Sequence, residues 1–221
     1  MHKNILKKGK KKAIIISICF AAAVFILLIL WVVCTVNTNQ AKFVEKEEYY
    51  KMGESVALEN NFFVSSNESV NGYFIKVNHV ELANYKEVLE KNGGSIENGG
   101  FSKNYPAPKY VFLVNMTIKN EGNTDGSLFL LSYALYNKSL NIPIDFVLWD
   151  LMDANYDGWP NMSIVENSTV TLTIPFTPMP LDTGTNAREI EKRMENEPFY
   201  FCVSAFPTRK IIEVKADTNL N

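Results

Sequence analysis

The segment 153–158 reads DANYDG and resembles the opening of a calcium-binding loop. Asp153, Asn155 and Asp157 place oxygen ligands at alternate positions, and Gly158 permits the sharp turn that follows them. An EF-hand loop also needs a bidentate glutamate six residues after the glycine, where this chain has Ile164. The segment therefore predicts either a calcium site or a turn rich in Asp and Asn that joins two strands.

Aromatic residues flank this loop and offer a second kind of chemistry. Trp149, Tyr156 and Trp159 lie within eleven positions of one another, close behind Phe146. Such side chains either close the end of a hydrophobic core or, when exposed together, form a recognition patch. A core role is the interpretation that the sequence favours, and Trp149, Tyr156 and Trp159 are the candidate ligand-binding residues if they are exposed together.

The sequence offers little for catalysis. His2 and His79 are its two histidines, and Cys202 is the one cysteine outside the apolar segment near the N-terminus. These numbers exclude a two-histidine zinc site in one domain, and nothing in the sequence brings Cys202 and His79 together. No G-x-S-x-G motif of a serine hydrolase occurs. We predict a protein that is not an enzyme, and a carboxylate-dependent envelope hydrolase is the remaining enzymatic alternative.

Charge is distributed unevenly along the chain. The first 12 residues hold six of the 22 Lys and Arg residues and none of the 24 Asp and Glu residues. The remaining residues therefore include 16 basic and 24 acidic side chains, a formal charge of −8. An acidic domain of this kind argues against a nucleic-acid partner, because phosphate binding requires clustered Lys and Arg.

Residues 13–36 form an uncharged apolar run directly after the lysines. A helix of this length spans about 36 Å, more than the ~30 Å hydrocarbon core of a bilayer. Lysines 3 to 12 predict a cytoplasmic N-terminus by the positive-inside rule, and Trp31 suits the opposite interface. A cleaved signal peptide is an alternative, and a lipoprotein is another, although Val33 before Cys34 is a poor lipidation site.

The residues after this run predict a stalk and then a β domain. Residues 1–12 are assigned as a cytoplasmic tail, 13–36 as a transmembrane helix, 37–53 as a stalk and 54–221 as the extracellular domain. Strands follow from alternating apolar residues, and short helices are predicted over Tyr85–Lys91 and Asn186–Asn196. The predicted strands are Val56–Val64, Gly72–Leu82, Tyr110–Ile118, Leu128–Tyr136, Ile142–Leu148, Thr169–Phe176, Phe199–Phe206 and Ile211–Val214.

Several of these segments carry a family resemblance. The stretches YKMGESVALENNFF, YVFLVNMTIKNEGNTDG, SIVENSTVTLTIPF and PFYFCVSAFPTRKIIEV resemble a bacterial family of membrane-anchored extracellular domains of unknown function. That group comprises surface proteins and lipoproteins of Gram-positive bacteria. The resemblance implies an immunoglobulin-like β-sandwich outside the membrane, here with two inserted helices, and it implies no activity.

These observations together predict a role at the cell surface. We expect a single-pass membrane protein whose extracellular, non-enzymatic domain binds a protein or an envelope component. The alternative is a calcium-stabilised structural spacer or an accessory subunit of a membrane complex. Apart from calcium, no cofactor is expected.

Overall fold

The computed structural model describes residues 21–35, 46–65, 68–97, 101, 107–138, 140–153, 160–178 and 197–218. The chain divides into two units, Met1–Phe43 and Val44–Asn221. In the first unit, helix α1 covers residues 21–35 and every one of them is exposed, including Phe25 and Trp31.

Helix α1 covers only part of the predicted transmembrane segment 13–36, because residues 13–20 and 36 lie outside the described residues. Among the described residues, no helix reaches the length and apolarity needed to cross a membrane.

The second unit is mainly β, as the sequence predicts. Among its described residues, the helices are α2 (Tyr85–Lys91) and α3 (Phe146–Met152), and a 3-10 turn covers Leu130–Ser132. Its strands are β1 (Lys46–Lys51), β2 (Val56–Ala57), β3 (Tyr73–Asn84), β4 (Tyr110–Asn120), β5 (Leu128–Phe129), β6 (Ala134–Tyr136), β7 (Asn141–Pro143), β8 (Asn161–Met162), β9 (Thr169–Phe176), β10 (Phe199–Ser204), β11 (Thr208–Val214) and β12 (Asp217–Thr218).

Two five-stranded sheets form the body of this unit. Sheet A has the strand order β1-β11-β10-β6-β7, in which β1 runs parallel to β11 and the other neighbours are antiparallel. Sheet B has the order β12-β3-β4-β9, with β2 also paired to β3. A separate pair consists of β5 and β8.

The inward faces of the two sheets share one hydrophobic core. Alternate residues of the longer strands, such as β4 and β10, point into this core, as the period of two requires. Ring contacts join the sheets directly, since Phe112 of β4 lies 5.0 Å from Phe199 of β10 and Phe176 of β9 lies 6.0 Å from Phe201 of β10, centroid to centroid. Burial of these apolar surfaces is the main term that stabilises the unit.

Helix α2 confirms the predicted helix over Tyr85–Lys91. Its N-cap is Asn84, whose side chain accepts a hydrogen bond from the backbone N–H of Glu87 at 3.3 Å. The second predicted helix, Asn186–Asn196, lies outside the described residues.

The strand predicted over Ile142–Leu148 ends early, at Pro143. Helix α3 follows because Asp145 caps it, accepting a hydrogen bond from the N–H of Leu148 at 2.9 Å. The apolar run after Asp145 suits a buried helix as well as a strand, and the capping aspartate favours the helix.

The predicted stalk 37–53 also differs from the structure. Residues 37–45 lie outside the described residues, but Lys46–Lys51 forms strand β1 at the edge of sheet A. Hydrogen-bonded pairing with β11 gives this segment its strand conformation, because the segment itself has no clear apolar period in the sequence. The folded unit therefore includes residues that were expected to be a linker.

One buried asparagine holds the turn after β4 against the loop before β3. The Asn123 amide donates to the carbonyl oxygens of Ser69 and Asn71 at 2.9 and 2.6 Å, and its oxygen accepts from Gly126 N–H at 2.6 Å. The loops approach so closely that a Cβ on Gly126 would lie 1.6 Å from the Ser69 carbonyl oxygen. This contact leaves room only for glycine at position 126.

We predict that Asn123→Ala lowers the free energy of unfolding by about 2–3 kcal/mol, because it leaves buried backbone groups without hydrogen-bond partners. Urea denaturation followed by circular dichroism measures the change. Asn60→Ala, at an exposed position, is the matched control and should change stability by less than about 0.5 kcal/mol. Equal effects of the two substitutions would contradict the role assigned to Asn123.

Candidate functional site

The predicted calcium loop is only partly within the described residues. Asp153 follows the end of α3, whereas Asn155 and Asp157 lie outside. In the part of the chain that the structure describes, no group of three His, Cys, Asp or Glu side chains is arranged to hold a metal ion. The calcium site therefore stays a prediction.

The predicted aromatic patch is likewise divided. Trp149 is 1% exposed and belongs to the core, where its ring lies 6.4 Å from that of Phe146. This matches the core role that the sequence left open for Trp149. The other two members, Tyr156 and Trp159, lie outside the described residues.

A different aromatic group lies on the outer face of sheet A. We call it the tyrosine surface and define it as Glu47, Tyr49, Tyr136, Tyr200 and Arg209. Leu135, Phe199 and Phe201 lie next to Tyr136 or Tyr200 and belong to the core, Tyr50 lies next to Tyr49 and packs against the core, and Lys210, next to Arg209, is buried. Alternation along each strand therefore directs these five side chains to the opposite face.

Strand pairing brings the five residues together. Glu47 lies opposite Arg209 across the parallel β1–β11 pair, and Tyr200 lies opposite Tyr136 across the β10–β6 pair. The Tyr200 ring lies 5.8 Å from that of Tyr136 and 6.5 Å from that of Tyr49, centroid to centroid. The guanidinium of Arg209 lies over the Tyr136 ring at 5.1 Å, a cation–π contact.

Hydrogen bonds hold the exposed edge of the tyrosine surface. Tyr49, which is 63% exposed, donates its hydroxyl to one Glu47 carboxylate oxygen at 2.8 Å. The other oxygen of Glu47 lies 3.4 Å from Nη1 of Arg209. The hydrogen bond to Glu47 raises the pKa of Tyr49, and burial raises the pKa of Tyr136 to about 12. Both hydroxyls are therefore protonated at neutral pH and can donate hydrogen bonds.

A groove of about 720 Å³ continues from the tyrosine surface across β6 and β7. We call it the sheet A groove. Its apolar lining includes Phe63, Leu140 and Phe206, and the charged residues among its described lining are Lys138 and Arg209. The other lining residues are Ser132, Ala134, Tyr136, Asn137, Asn141, Cys202 and Ala205.

Cys202 lines this groove as a half-buried free thiol. Its Sγ donates to the carbonyl oxygen of Ser204 at 3.2 Å. Burial raises the pKa of the Cys202 thiol, and the hydrogen bond with Arg209 opposes this effect only in part. Since the thiolate is the reactive form, Cys202 is a poor nucleophile at neutral pH.

A second concave region lies between α2 and α3. This cleft of about 600 Å³ is mostly apolar, with Leu89, Phe101 and Val147 among its lining residues. Asp145, the one carboxylate among the described lining residues, accepts hydrogen bonds from Leu148 N–H at 2.9 Å and from Thr177 Oγ1 at 3.0 Å. Because these bonds occupy the carboxylate, the cleft offers mainly apolar contact.

Sequence reasoning did not find the tyrosine surface, because its members come from strands far apart in the chain. The available signal was local and weak: Tyr200 and Cys202 alternate with Phe199, Phe201 and Val203 along β10. That alternation identifies an outward tyrosine, but it gives no information about the neighbours that β1 and β6 supply.

The chain belongs to a family whose function is not known. Residues 47–210 match the family model described as a domain of unknown function, DUF5028, and this match covers more than half of the 221-residue chain. No curated protein and no solved structure matches the chain. The predicted resemblance is thus confirmed only as membership of an uncharacterised family, whereas its membrane-anchored, extracellular, immunoglobulin-like and Gram-positive features stay predictions.

We predict that alkylation of Cys202 by iodoacetamide reaches half of its maximal rate above about pH 8.5, the ordinary value for a cysteine thiol. Burial raises the pKa of Cys202, so less of the thiol is ionised at neutral pH. Mass spectrometry of the peptide containing residue 202 measures the rate, with free cysteine as the reference thiol. Arg209→Gln should shift the profile to still higher pH, because it removes a charge that favours the thiolate.

A Cys202 that reacts at neutral pH as fast as free cysteine would contradict this description of the groove.

Proposed function

We propose that this protein is a membrane-anchored, non-enzymatic module that displays its β domain outside the cell and binds a protein or envelope component. The tyrosine surface is the observation that carries the proposal. Tyrosine and arginine are enriched among the residues that dominate binding energy at protein interfaces. They supply large contact areas and hydrogen bonds from the same side chains.

The tyrosine surface is also ordered before any ligand binds. Tyr200 contacts the rings of both Tyr49 and Tyr136, and Arg209 lies against Tyr136. Side chains that neighbours already hold in place lose less conformational entropy on binding than free ones do. This arrangement favours a recognition role over one limited to solubility.

The strand order supports an immunoglobulin-like sandwich as the scaffold. The order β11-β10-β6-β7 in sheet A corresponds to strands G, F, C and C′ of a variable-type immunoglobulin domain. The order β3-β4-β9 in sheet B corresponds to A, B and E. In this proposal the tyrosine surface occupies the outer face of the sheet that contains G, F and C.

The N-terminal residues support the anchor. The run 13–36 carries no charged residue and follows six lysines. Within it, every apolar side chain of α1 is exposed, an arrangement that is costly in water and favourable in hydrocarbon. The lysines then keep the N-terminus in the cytoplasm, so that the β domain is exported.

Capture of a binding partner tests the tyrosine surface. The full chain with its native anchor is crosslinked in intact cells and recovered, and the captured proteins are compared between variants. We predict that Tyr49→Ala lowers partner affinity at least about tenfold without changing the unfolding midpoint, because the side chain is 63% exposed. Phe74→Ala, on the outer face of sheet B, is the matched control and should leave capture unchanged.

If Phe74→Ala abolishes capture and Tyr49→Ala does not, the tyrosine surface is not the binding site. If neither variant nor the parent chain captures a specific partner, the binding function itself is contradicted and a spacer role is favoured.

The orientation has its own test. Protease added to intact cells that express the full chain should remove a C-terminal tag and leave an N-terminal tag protected. The reason is that the lysine-rich segment 1–12 resists export. Immunoblotting of both tags before and after cell lysis measures the result. A C-terminal tag that becomes accessible only after lysis would contradict the proposed display.

A further inference from the structure

The sheet A groove is positively charged on a domain that is otherwise acidic. Lys138 and Arg209 line the groove, and no Asp or Glu is among its described lining residues. By contrast, the chain after residue 12 carries a formal charge of −8. A concave, partly apolar site concentrates the potential of its own charges, so the groove favours an anionic group locally.

Two carboxylates near the groove already have partners. Glu47 lies beside Arg209 but also accepts the Tyr49 hydroxyl, and its oxygen is 3.4 Å from the guanidinium, longer than a strong charge-assisted bond. Glu68 accepts backbone N–H groups from Phe63, Val64 and Ser65 at 3.1, 2.8 and 3.0 Å. Glu47 therefore offsets part of the Arg209 charge, and Lys138 supplies most of the positive charge that the described lining of the groove presents.

Arg209 is held in a geometry suited to a carboxylate. The Tyr136 ring supports one face of its guanidinium, and the Glu47 carboxylate lies 3.4 Å from its Nη1. A guanidinium carries five N–H donors, more than this contact requires. A planar group held in this way can donate two parallel hydrogen bonds to one carboxylate, which a lysine ammonium cannot do.

The lining of the groove also has apolar members. Phe63, Leu140 and Phe206 line it, and Phe63 also contacts Tyr133 with ring centroids 5.0 Å apart. The volume of about 720 Å³ lies within the ~300–1,000 Å³ range of ligand-binding pockets. The site therefore combines cationic and apolar lining residues at a size that holds several side chains.

We infer that the sheet A groove binds an acidic segment of a partner polypeptide. A carboxylate of the segment bonds to Arg209 and approaches Lys138, and an adjacent apolar side chain packs against Phe63 and Phe206. This inference rests on the proposed binding function and names the chemistry of its ligand. Long polyanions such as nucleic acids fit less well, because the acidic remainder of the domain repels them.

Selection of peptides tests the inference. Short random peptides displayed on phage are selected on the full chain in detergent, and enriched sequences are synthesised with a fluorescent label. We expect Asp or Glu beside a large apolar residue in the enriched set. Arg209→Gln should weaken binding of such a peptide by about tenfold or more, and Lys138→Gln by about threefold.

Lys86→Gln is the matched control, because Lys86 is an exposed lysine on α2 paired with Glu90, and it should leave peptide affinity unchanged. Lys138 is exposed, so Lys138→Gln and Lys138→Glu report on the groove even if Arg209→Gln disturbs packing. Higher salt should weaken the peptide complex, because the charges are partly exposed.

Enrichment of basic or uncharged peptides, or the absence of enriched peptides, would overturn the inference. The same holds if Lys138→Glu leaves the affinity of an acidic peptide unchanged, or if the cellular partner is a nucleic acid or a lipid. Partner capture that depends on Tyr49 but not on Arg209 or Lys138 would remove this inference and leave the proposed function standing.

Discussion

The parallel pairing of β1 with β11 is the constraint on which the functional face of this protein depends. It joins a segment of no evident period to the edge of the sheet, in register from Lys46 opposite Thr208 to Lys51 opposite Glu213. The pairing places Tyr49 beside Ile211, which is 1% exposed although it lies outside the shared core. β1 therefore both covers an apolar position and completes the tyrosine surface.

Strand β11 connects this outer face to the interior. Arg209 points outward, whereas the next residue, Lys210, points inward with its side chain 3% exposed. The Lys210 ammonium donates to the carbonyl oxygen of Ala57 at 2.7 Å and to Glu59 at 2.6 Å. A buried cation requires such partners, since without them its desolvation would strongly favour unfolding. Because Ala57 belongs to β2, this contact links sheet A to sheet B.

The sequence predicts the parts of the fold that local pattern controls. The alternation of apolar residues along Thr169–Phe176 predicts a strand with one buried face. The composition of Tyr85–Lys91 predicts a short helix, which the structure contains. The tyrosine surface could not be predicted in this way. Glu47 and Arg209 are in contact although more than 160 positions separate them in the sequence. Two parallel strands are not joined by a tight turn, so no local sequence signal indicates their register. Trp149 is a residue whose type allows either a recognition role or a core role, and tertiary packing decides for the core.

The central claim is that the outer face of sheet A contacts the partner, and site-specific photo-crosslinking in living cells tests it most directly. A photoreactive phenylalanine analogue replaces Tyr49 in one variant and Phe74, on the outer face of sheet B, in another. The account predicts a discrete crosslinked product from position 49 and none from position 74. A product from position 74 alone would place the binding site on the other sheet and contradict the account.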